Sequence, residues 1–275
     1  MHELIPPDFH RASRFFESLP YGMTIPNSVI AGICDGKVFV DDVVEPRAAL
    51  VYNNGACTLA GEAEGAFGEA ACRWLMEFHG ADYFILFAHP ERWEPILDRL
   101  MGNAATKRRR LDFALNPSTF AAHEDWRSSI PRGFELRRMD ETLMQQVRDE
   151  VLPYSKNYWR SARDFVRDGI GFCMIHESAI VSICYTCFAW RKHHDIDIWT
   201  SERHQRKGLA MAVACAFIEH CLNHGLTPDW DCWSKNQSSV SLATKLGFES
   251  RAEVVTYHGI QADKIPARAA APHST

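Results

Sequence analysis

Three consecutive apolar segments that lead into one long amphipathic segment constrain the fold of this chain more than any other feature. The segments GFCMIH (171–176), AIVSICYTCFAW (179–190) and HDIDIWT (194–200) predict strands, because they are rich in β-branched and aromatic residues. From about Gly208 to Asn223, apolar side chains recur near helical spacing and predict a helix with one apolar face. Strands followed by helices in this order predict an α/β (α+β) fold, with a mixed sheet and helices on its faces.

The two halves of the chain end with the same order of elements. In the second half, strands are also predicted at 134–138, 229–233 and 254–259, and helices at about 141–152, 159–167 and 238–246. In the first half, strands are predicted at 36–42, 47–61, 82–88 and 110–116, and helices at about 67–78 and 91–101. The shared order favours a diverged structural repeat, although two unrelated α/β domains explain it equally well because residue identity between the halves is slight.

A polar, proline-containing segment separates the halves. Residues 116–131, NPSTFAAHEDWRSSIP, mix proline, serine and charge without a sustained apolar period, which predicts a linker. The predicted organisation is an N-terminal α/β domain over 1–120 and a second domain over 131–260. Residues 261–275 are small and proline-containing, and we expect them to form a disordered tail.

Composition excludes several classes of function. The formal net charge of -5 argues against nonspecific nucleic-acid binding, so the basic run 107–110 is expected to be a solvated edge just before a strand. No apolar run approaches the roughly 20 residues that span a bilayer, and residues 1–16 lack the pattern of a signal peptide. The nine cysteines are an odd number scattered along the chain, which favours reduced thiols and a cytoplasmic protein.

No metal site is predicted. Cys184 and Cys187 form a C-x-x-C within a predicted strand, where their side chains should point to opposite faces, and no second pair accompanies them. His193 and His194 are adjacent in a strand and point apart for the same reason.

The loop between the strand that ends at Thr200 and the helix that begins at Gly208 has the features of an anion site. A helix start directs backbone N–H groups outward and carries partial positive charge. Arg203, Arg206 and Lys207 add positive charge, and glycine lets a ligand approach the backbone. On spacing alone, a solvated basic loop explains the pattern equally well. The chain has neither G-x-x-x-x-G-K-[ST] nor a G-x-G-x-x-G after a strand, which argues against the common nucleotide-binding loops.

Two motifs at fixed separation resemble those of the GNAT superfamily of acetyl-CoA-dependent N-acetyltransferases. Residues 205–210, QRKGLA, match the family's Q/R-x-x-G-x-G/A loop, and NQSSVSLATKLGF (236–248) matches its Asn-x(5)-Leu-x-x-Lys-x-Gly-Phe segment. The resemblance implies a GNAT fold, with a mostly antiparallel twisted sheet, for the second half and a diverged GNAT-like α/β domain for the first. It implies acetyl-CoA as cosubstrate, with its pyrophosphate on the loop amides. The coenzyme-binding residues expected on this basis are Ile198, Trp199, Thr200, Arg203, Gln205, Arg206, Lys207, Gly208, Leu209, Ala210, Asn236 and Lys245.

A closer similarity extends along most of the chain. The segments GKVFVDDVVEPRAALVYN, GIGFCMIH, IVSICYTCF, DIDIWT and PDWDCWSKN resemble the branch that includes zwittermicin A resistance acetyltransferases. This resemblance implies an acceptor amine on a small polar molecule, such as an aminopolyol or another amino-containing antibiotic. Where the coenzyme loop would fall in the first half, Glu62, Glu64 and Glu69 replace basic residues and would repel a pyrophosphate. We therefore expect one coenzyme site, in the second half.

Carboxylates lie in the two strands that the resemblance implies are splayed apart, Ile196–Thr200 and Asp229–Trp233. Strand alternation groups Asp195, Asp197 and Trp199 on one face of the first strand. It groups Asp229, Asp231 and Trp233 on one face of the second strand. A buried unpaired charge is costly, so these carboxylates need a partner or a function.

We expect Asp197 and Asp231 to be the catalytic residues, which would bind the acceptor ammonium and accept its proton through water. Asp195 and Asp229 are expected to be solvated strand ends. The alternative is that the aspartates form structural ion pairs, for example with His193, His194 or Lys235.

The proton donor to the leaving sulfur is left open. The resemblance implies a tyrosine in the last helix on the coenzyme side, but the matching residue is Ala243. Ser239, Ser241, Tyr257 or water remain as candidates. The aromatic residues of segment 154–159 either shape the acceptor site or belong to the core.

Two other functions fit the same features. The fold also suits transfer of a different acyl or aminoacyl group, and a CoA-binding sensor whose catalysis has decayed is a non-enzymatic alternative. We expect a monomer or a homodimer, with no nucleic-acid or membrane partner.

Overall fold

The computed structural model describes residues 1–63, 66–79 and 81–261. They form two compact units: unit 1 comprises residues 1–110 together with 254–261, and unit 2 comprises 111–253.

The boundaries of these units differ from the predicted domains, 1–120 and 131–260. Each junction lies inside a long strand, at 110 and at 253, where nothing in the local pattern marks a break. Of the predicted tail, only residue 261 is described, and the rest lies outside the described residues.

Strands and helices alternate along both units. The described strands are β1 (His2–Glu3), β2 (Lys37–Val40), β3 (Ala48–Asn53), β4 (Ala56–Gly61), β5 (Tyr83–His89), β6 (Thr106–Leu115), β7 (Glu135–Arg138), β8 (Gly171–His176), β9 (Ala179–Trp190), β10 (His193–Thr200), β11 (Thr227–Trp233) and β12 (Phe248–Ile260). The described α-helices are α1 (Thr24–Ile30), α2 (Ala66–Met76), α3 (Glu94–Met101), α4 (Pro117–Phe120), α5 (Glu141–Gln146), α6 (Ala162–Asp168), α7 (Leu209–Asn223) and α8 (Gln237–Lys245). Across the described ranges, no helix has both the length and the apolar character that crossing a membrane requires.

Unit 1 is a sheet with the strand order β1-β2-β3-β4-β5-β12-β6. Strands β4 and β5 pair in parallel, whereas β12 pairs antiparallel with β5. Helices α2 and α3 contribute Phe67 and Leu97 to an apolar core that also buries Leu59, Leu86 and Trp93.

The prediction of one strand over residues 47–61 is wrong. These residues form a hairpin, in which β3 pairs antiparallel with β4 across a turn at Asn54 and Gly55. Both turn residues have positive φ, 40° and 105°. Asn-Gly between two apolar runs is the usual sequence pattern of such a turn.

Unit 2 contains the mixed, mostly antiparallel sheet flanked by helices that the sequence predicts. Its strand order is β12-β6-β11-β10-β9-β8-β7, with β10 and β11 parallel and β7 to β10 antiparallel to one another. Helix α7 packs on one face, where Val213 and Phe217 are buried with Ile198 and Trp230.

The segment that contains α5 and α6 contributes to the packing around β9. Trp159 is fully buried, and its indole N–H donates to the carbonyl of Thr186 at 2.8 Å. The Phe165 and Tyr185 rings meet edge to face, with centroids 6.2 Å apart. Trp159 thus belongs to the core, which is one of the two alternatives for this aromatic segment.

The prediction that residues 116–131 are a linker is also wrong. The segment forms α4 and two 3₁₀ turns, and it buries Phe120 and Trp126 in the core of unit 2. The Asn116 side chain caps α4 by accepting from the Ser118 N–H at 3.1 Å. Helices this short have no room for an apolar period, so their pattern resembles that of a loop.

The basic run 107–110 lies inside β6 and not before it. Lys107 forms ion pairs with Glu94 at 3.0 Å and Asp98 at 3.1 Å, both from α3. Arg108 Nη1 lies 2.9 Å from His258 Nδ1 in β12. This run is therefore part of the unit 1 sheet and its ion pairs.

Candidate functional site

The parallel strands β10 and β11 separate before they end. Their ladder pairs His193–Asp195 with Thr227–Asp229 and, within the described residues, does not continue past Asp195 and Asp229. The following residues, 196–200 and 230–233, form the two sides of a splay, as the resemblance implies.

A short loop connects the end of β10 to the start of α7. A 3₁₀ turn over Glu202–His204 is followed by Arg206 (φ 62°) and Gly208 (φ 80°), which turn the chain into the helix. The Ala212 N–H donates to the Gly208 carbonyl at 3.1 Å, so the N–H groups before Ala212 point out of the helix start. These groups carry the partial positive charge of the helix and form a surface that favours anions.

Gly208 leaves open space in front of this helix start. Its φ lies in the left-handed region that favours glycine, and a Cβ built there would meet no atom within 4 Å. A ligand can therefore approach the backbone closely, and a large side chain would project into the ligand's space.

A cavity of about 420 Å³ opens at this loop. Residues of the loop and α7 line one part of it, and residues of α8 line another. Its basic side chains are His204, Arg206 and Lys245. The lining residues are Thr200, His204, Gln205, Arg206, Gly208, Leu209, Ala210, Met211, Ser238, Ser241, Leu242 and Lys245.

The cavity brings together most of the residues predicted to bind the coenzyme. Those that line it are Thr200, Gln205, Arg206, Gly208, Leu209, Ala210 and Lys245. The others lie outside the described lining: Ile198, Trp199, Arg203, Lys207 and Asn236.

Ile198 and Trp199 belong to the splayed part of β10. The Ile198 side chain is buried in the core beneath α7, so a ligand in the splay would meet its backbone and not its side chain. The Trp199 carbonyl accepts from Ser182 Oγ in β9 at 3.1 Å.

Asn236 is the N-cap of α8. Its Oδ1 accepts from the Ser239 N–H at 3.2 Å and from Ser238 Oγ at 3.0 Å. The residue thereby fixes the start of the helix that supplies Ser241 and Lys245 to the cavity.

The cations outside the cavity lining lie on the same loop. Arg203 is exposed, and Lys207 Nζ lies 5.8 Å from the centroid of the Phe134 ring. Both add to the positive charge around the helix start.

His204 is a cavity residue that the sequence analysis did not identify. Its Nδ1 is hydrogen-bonded to Ser201 Oγ at 2.7 Å. Partial loss of solvent, together with the nearby Lys207 and His176, lowers the pKa of His204. The family loop motif begins at the next residue, so no sequence pattern marks this histidine.

Asp197 lies two residues beyond Asp195, the last residue of β10 that pairs with β11. Its partner across the β9–β10 ladder is Tyr185, whose hydroxyl donates to Asp197 Oδ2 at 2.9 Å. No sequence pattern marks Tyr185 as functional, because a tyrosine in a buried apolar strand is expected to belong to the core.

Asp231 holds the equivalent position on β11 and is half-buried. Burial and then the carboxylates of Asp195, Asp197 and Asp231 raise the pKa of the Cys187 thiol well above its usual value. Carboxylates from both sides of the splay therefore act on one thiol, which supports their grouping on one face.

Asp229 is not the solvated strand end that the sequence predicts. Its Oδ2 lies 2.8 Å from Nδ1 of His193, and both side chains are about one-fifth exposed. The parallel register brings these two strands side by side here, which explains the contact between the two side chains. The structural alternative therefore holds for Asp229.

A further carboxylate, Asp112 in β6, belongs to the same group. Arg251 in β12 donates to it twice, from Nε to Oδ2 at 2.5 Å and from Nη2 to Oδ1 at 3.1 Å. Burial raises the pKa of Asp112 despite this arginine, and the carboxylates of Asp231 and Asp229 raise it further. Asp112 and Arg251 are 139 residues apart in the chain, so no local pattern reveals the pair.

The helix α8 supplies no tyrosine to the cavity. Ala243 is fully buried in the core of unit 2, and Ser239 Oγ accepts from the Trp230 indole N–H at 3.1 Å. Tyr257 belongs to unit 1, where its hydroxyl donates to Asp98 at 2.7 Å. Of the candidate donors named from the sequence, Ser241 lines the cavity.

Unit 1 has no equivalent splay among its described residues. Its parallel strands β4 and β5 pair from Ala56 opposite Ile85 to Ala60 opposite His89. Beyond β4, Glu62 and Glu69 are exposed, whereas Glu64 lies outside the described residues.

No metal cluster is found in the part of the chain that the structure describes, where no three His, Cys, Asp or Glu side chains come together to hold an ion.

Comparison with known proteins identifies the family of this chain. The model of the GNAT acetyltransferase family matches residues 14–257. An uncharacterized N-acetyltransferase of Bacillus subtilis (strain 168), YdfB, is 29% identical over 241 residues, which cover 86% of this chain and 91% of that protein.

Solved structures share the fold. A GCN5-related N-acetyltransferase-like protein from Streptococcus suis 89/1591 has a TM-score of 0.73 at 24% identity, covering 92% of this chain and 98% of that chain. A tandem GNAT protein from the clavulanic acid biosynthesis pathway has a TM-score of 0.60 at 11% identity, covering 94% and 97%. The structures support the fold alone, whereas the family match spans most of the sequence. The chain belongs to the GNAT acetyltransferase family, whose members use acetyl-CoA, and it is an acyltransferase.

Proposed function

We propose that this protein transfers the acetyl group of acetyl-CoA to a primary amine of a small polar molecule by direct attack. The observation that carries the proposal is the splay between β10 and β11. An anion-receptive helix start lies at its open end, and Asp197 and Asp231 occupy equivalent positions on its two sides.

The residues at the helix start fit the diphosphate of acetyl-CoA. The N–H groups at the start of α7 offer donors, and Arg206 and Lys245 offer positive charge in the cavity. The empty space at Gly208 lets phosphate oxygens reach the backbone. In this arrangement, Arg203 and Lys207 increase the positive electrostatic potential around the loop. Asn236 acts by fixing the start of α8.

The splayed strand β10 fits the rest of the coenzyme. The end of β10, with Ile198, Trp199 and Thr200, lies beyond the last residue of this strand that pairs with β11. Bound there, acetyl-CoA would supply an electrophilic thioester carbonyl, and main-chain N–H groups at this strand end would stabilise negative charge on its oxygen.

The two aspartates fit an acceptor amine. An ammonium cannot attack a carbonyl, so the site must bind the cation and then remove a proton. Asp197 and Asp231 offer negative charge for binding, and either can receive the proton through water. Because α8 has Ala243 where a tyrosine is usual, the leaving sulfur takes its proton from water or from Ser241.

The acceptor class follows the resemblance to the zwittermicin A resistance-type branch. We propose an aminopolyol or another amino-containing antibiotic as acceptor, and the grouping of carboxylates around Asp231 supports a cationic molecule.

The nine cysteines form no disulfide with one another, which supports a cytoplasmic location.

The experiment is to measure thiol release from acetyl-CoA with a panel of amines, from alkylamines to aminopolyols. We expect turnover with polar amines and higher kcat/KM for aminopolyols than for alkylamines. Tight coenzyme binding with no turnover on any amine would instead support a CoA-binding sensor.

Asp231→Asn tests the catalytic assignment in the same assay. We expect kcat to fall by about 100-fold, which is typical for the loss of a general base, with little change in coenzyme affinity. Asp149→Asn is the matched control, because Asp149 is exposed and pairs with Lys156. Wild-type kcat in Asp231→Asn would remove its proposed role.

A further inference from the structure

A buried tyrosine holds one of the two proposed catalytic carboxylates. Tyr185 is 0% exposed, and its hydroxyl donates to Oδ2 of Asp197 at 2.9 Å. The two residues are direct partners in the antiparallel ladder of β9 and β10. The phenol therefore acts on a residue that lies beyond the end of the β10–β11 ladder.

The packing around Tyr185 fixes its ring. Phe165 from α6 meets it edge to face, and Gly171 lies opposite it in β8. A Cβ at Gly171 would lie 2.9 Å from the Phe165 ring and 3.2 Å from Cβ of Tyr185, so glycine is required for these rings to pack here. A donor held this firmly restricts the carboxylate that it binds.

The phenol remains protonated and therefore remains a donor. Burial, followed by the negative charge of Asp197, raises the pKa of Tyr185 well above its usual value. The other titratable groups near it are Tyr154 and Tyr158 from the segment before α6 and Cys187 from β9. None of these groups provides a positive charge that would favour a phenolate.

The hydrogen-bond partner of the Tyr185 hydroxyl indicates more than a buried polar group that has found an acceptor. Tyr52 in unit 1 is also buried, and its hydroxyl donates to a backbone carbonyl, that of Phe78, at 3.4 Å. The Tyr185 hydroxyl instead binds a half-buried carboxylate on the splay. A hydrogen bond to a carboxylate oxygen stabilises the charged form and sets the orientation of the group.

We infer that Tyr185 is a positioning residue, which orients the Asp197 carboxylate so that it can accept the proton of the acceptor ammonium. The inference rests on the proposed function, and it adds a residue to which neither the sequence motifs nor the coenzyme cavity points. In the step concerned, one N–H bond of the ammonium breaks and one O–H bond forms on Asp197; where a water relays the proton, that water gains one proton from the ammonium as it gives another to Asp197. Tyr185 keeps its own proton throughout.

The test is Tyr185→Phe, which removes the hydroxyl and preserves the ring. We expect kcat to fall about tenfold with coenzyme affinity within twofold of wild type. We also expect the KM of the acceptor amine to stay within about twofold of wild type, because a misoriented carboxylate still attracts the ammonium but accepts its proton less well. Tyr52→Phe is the matched control, since it removes a buried tyrosine hydroxyl in unit 1, and its kcat should match that of wild type.

Asp197→Asn measured alongside separates this inference from the proposed function. If Asp197→Asn loses activity but Tyr185→Phe lowers only the melting temperature and leaves kcat unchanged, Tyr185 is purely structural and the inference is overturned while the function stands. If Asp197→Asn retains wild-type kcat, both the role of Asp197 and the role of Tyr185 are overturned. An Asp197→Asn defect together with a lowered kcat and an unchanged KM for the amine in Tyr185→Phe supports both.

Discussion

At Gly208 the group that we propose to bind the coenzyme is the backbone and not a side chain. Its positive φ and the open space before it leave the α7 N–H groups accessible, and the family loop motif points to this residue directly. Tyr185 and His204 show the opposite case. Both were missed in the sequence, because a tyrosine in an apolar strand and a histidine in a polar loop each have an ordinary structural explanation.

Gly208→Trp tests the coenzyme end of the site. The indole would occupy the space in front of the α7 N–H groups, so we expect coenzyme affinity to fall by more than about 100-fold. Strain at the positive φ should lower the free energy of unfolding by only about 1–2 kcal/mol. Isothermal titration calorimetry and chemical denaturation measure the two effects.

Gly225→Trp is the matched control for Gly208→Trp. Gly225 follows the other end of α7, has a φ of 69° and, like Gly208, meets no atom within 4 Å of a built Cβ. Similar losses of coenzyme affinity in the two variants would contradict the placement of the coenzyme at Gly208.

At the scale of the elements, an ion pair between residues far apart in the sequence joins two strands of unit 2. Asp112 in β6 and Arg251 in β12 form a two-pronged ion pair, in which the Asp112 side chain is 9% exposed and the Arg251 side chain is 40% exposed. The helices and most strands could be predicted from periodicity, because each element is set by local residues. This pair and the short helices of segment 116–131 could not, because they depend on contacts made after folding.

Arg251→Met tests what this ion pair contributes. It leaves Asp112 buried beside Asp229 and Asp231, and we expect the free energy of unfolding at pH 7 to fall by about 2 kcal/mol. The folded-state pKa of Asp112 is already raised, and loss of the arginine should raise it further. Stability from a raised carboxyl pKa is fully present below the unfolded-state value and is lost as pH rises through the folded-state value.

The deficit of Arg251→Met should therefore shrink as the pH falls from 7 towards about 4. Urea denaturation at several pH values measures it. Asp112→Asn combined with Arg251→Met removes the unpaired charge of the Asp112 carboxylate and should recover most of the lost free energy of unfolding. A deficit that stays constant over this pH range would show that the arginine acts through packing alone.

Gly247→Ala tests how closely α8 approaches segment 116–131. The glycine has a φ of 90°, and a Cβ would lie 3.0 Å from the Phe120 backbone nitrogen. Strain and crowding together should lower the free energy of unfolding by about 2–3 kcal/mol. At Gly225, where only strain applies, the same substitution should cost about 1 kcal/mol. Equal losses at both glycines would mean that the close approach is unimportant.

At the scale of the whole molecule, the two units share a strand–helix order but differ in how far their two parallel strands stay paired. In unit 2, β10 and β11 separate after Asp229, whereas in unit 1 the pairing of β4 and β5 is described as far as His89. From the charge of the two loops, basic in one and acidic in the other, the sequence predicts a single coenzyme site, in the second half. It does not predict that β6 and β12 each contribute to both units, because a long strand has no internal signal of where one unit ends.

The most direct test is a crystal structure of the protein soaked with CoA. The account predicts one coenzyme per chain, in unit 2, with diphosphate oxygens within about 3 Å of main-chain nitrogens between Arg206 and Ala210. The remaining part of the coenzyme should enter the splay between β10 and β11. Coenzyme density elsewhere, with the turn at Gly208 left empty, would contradict it.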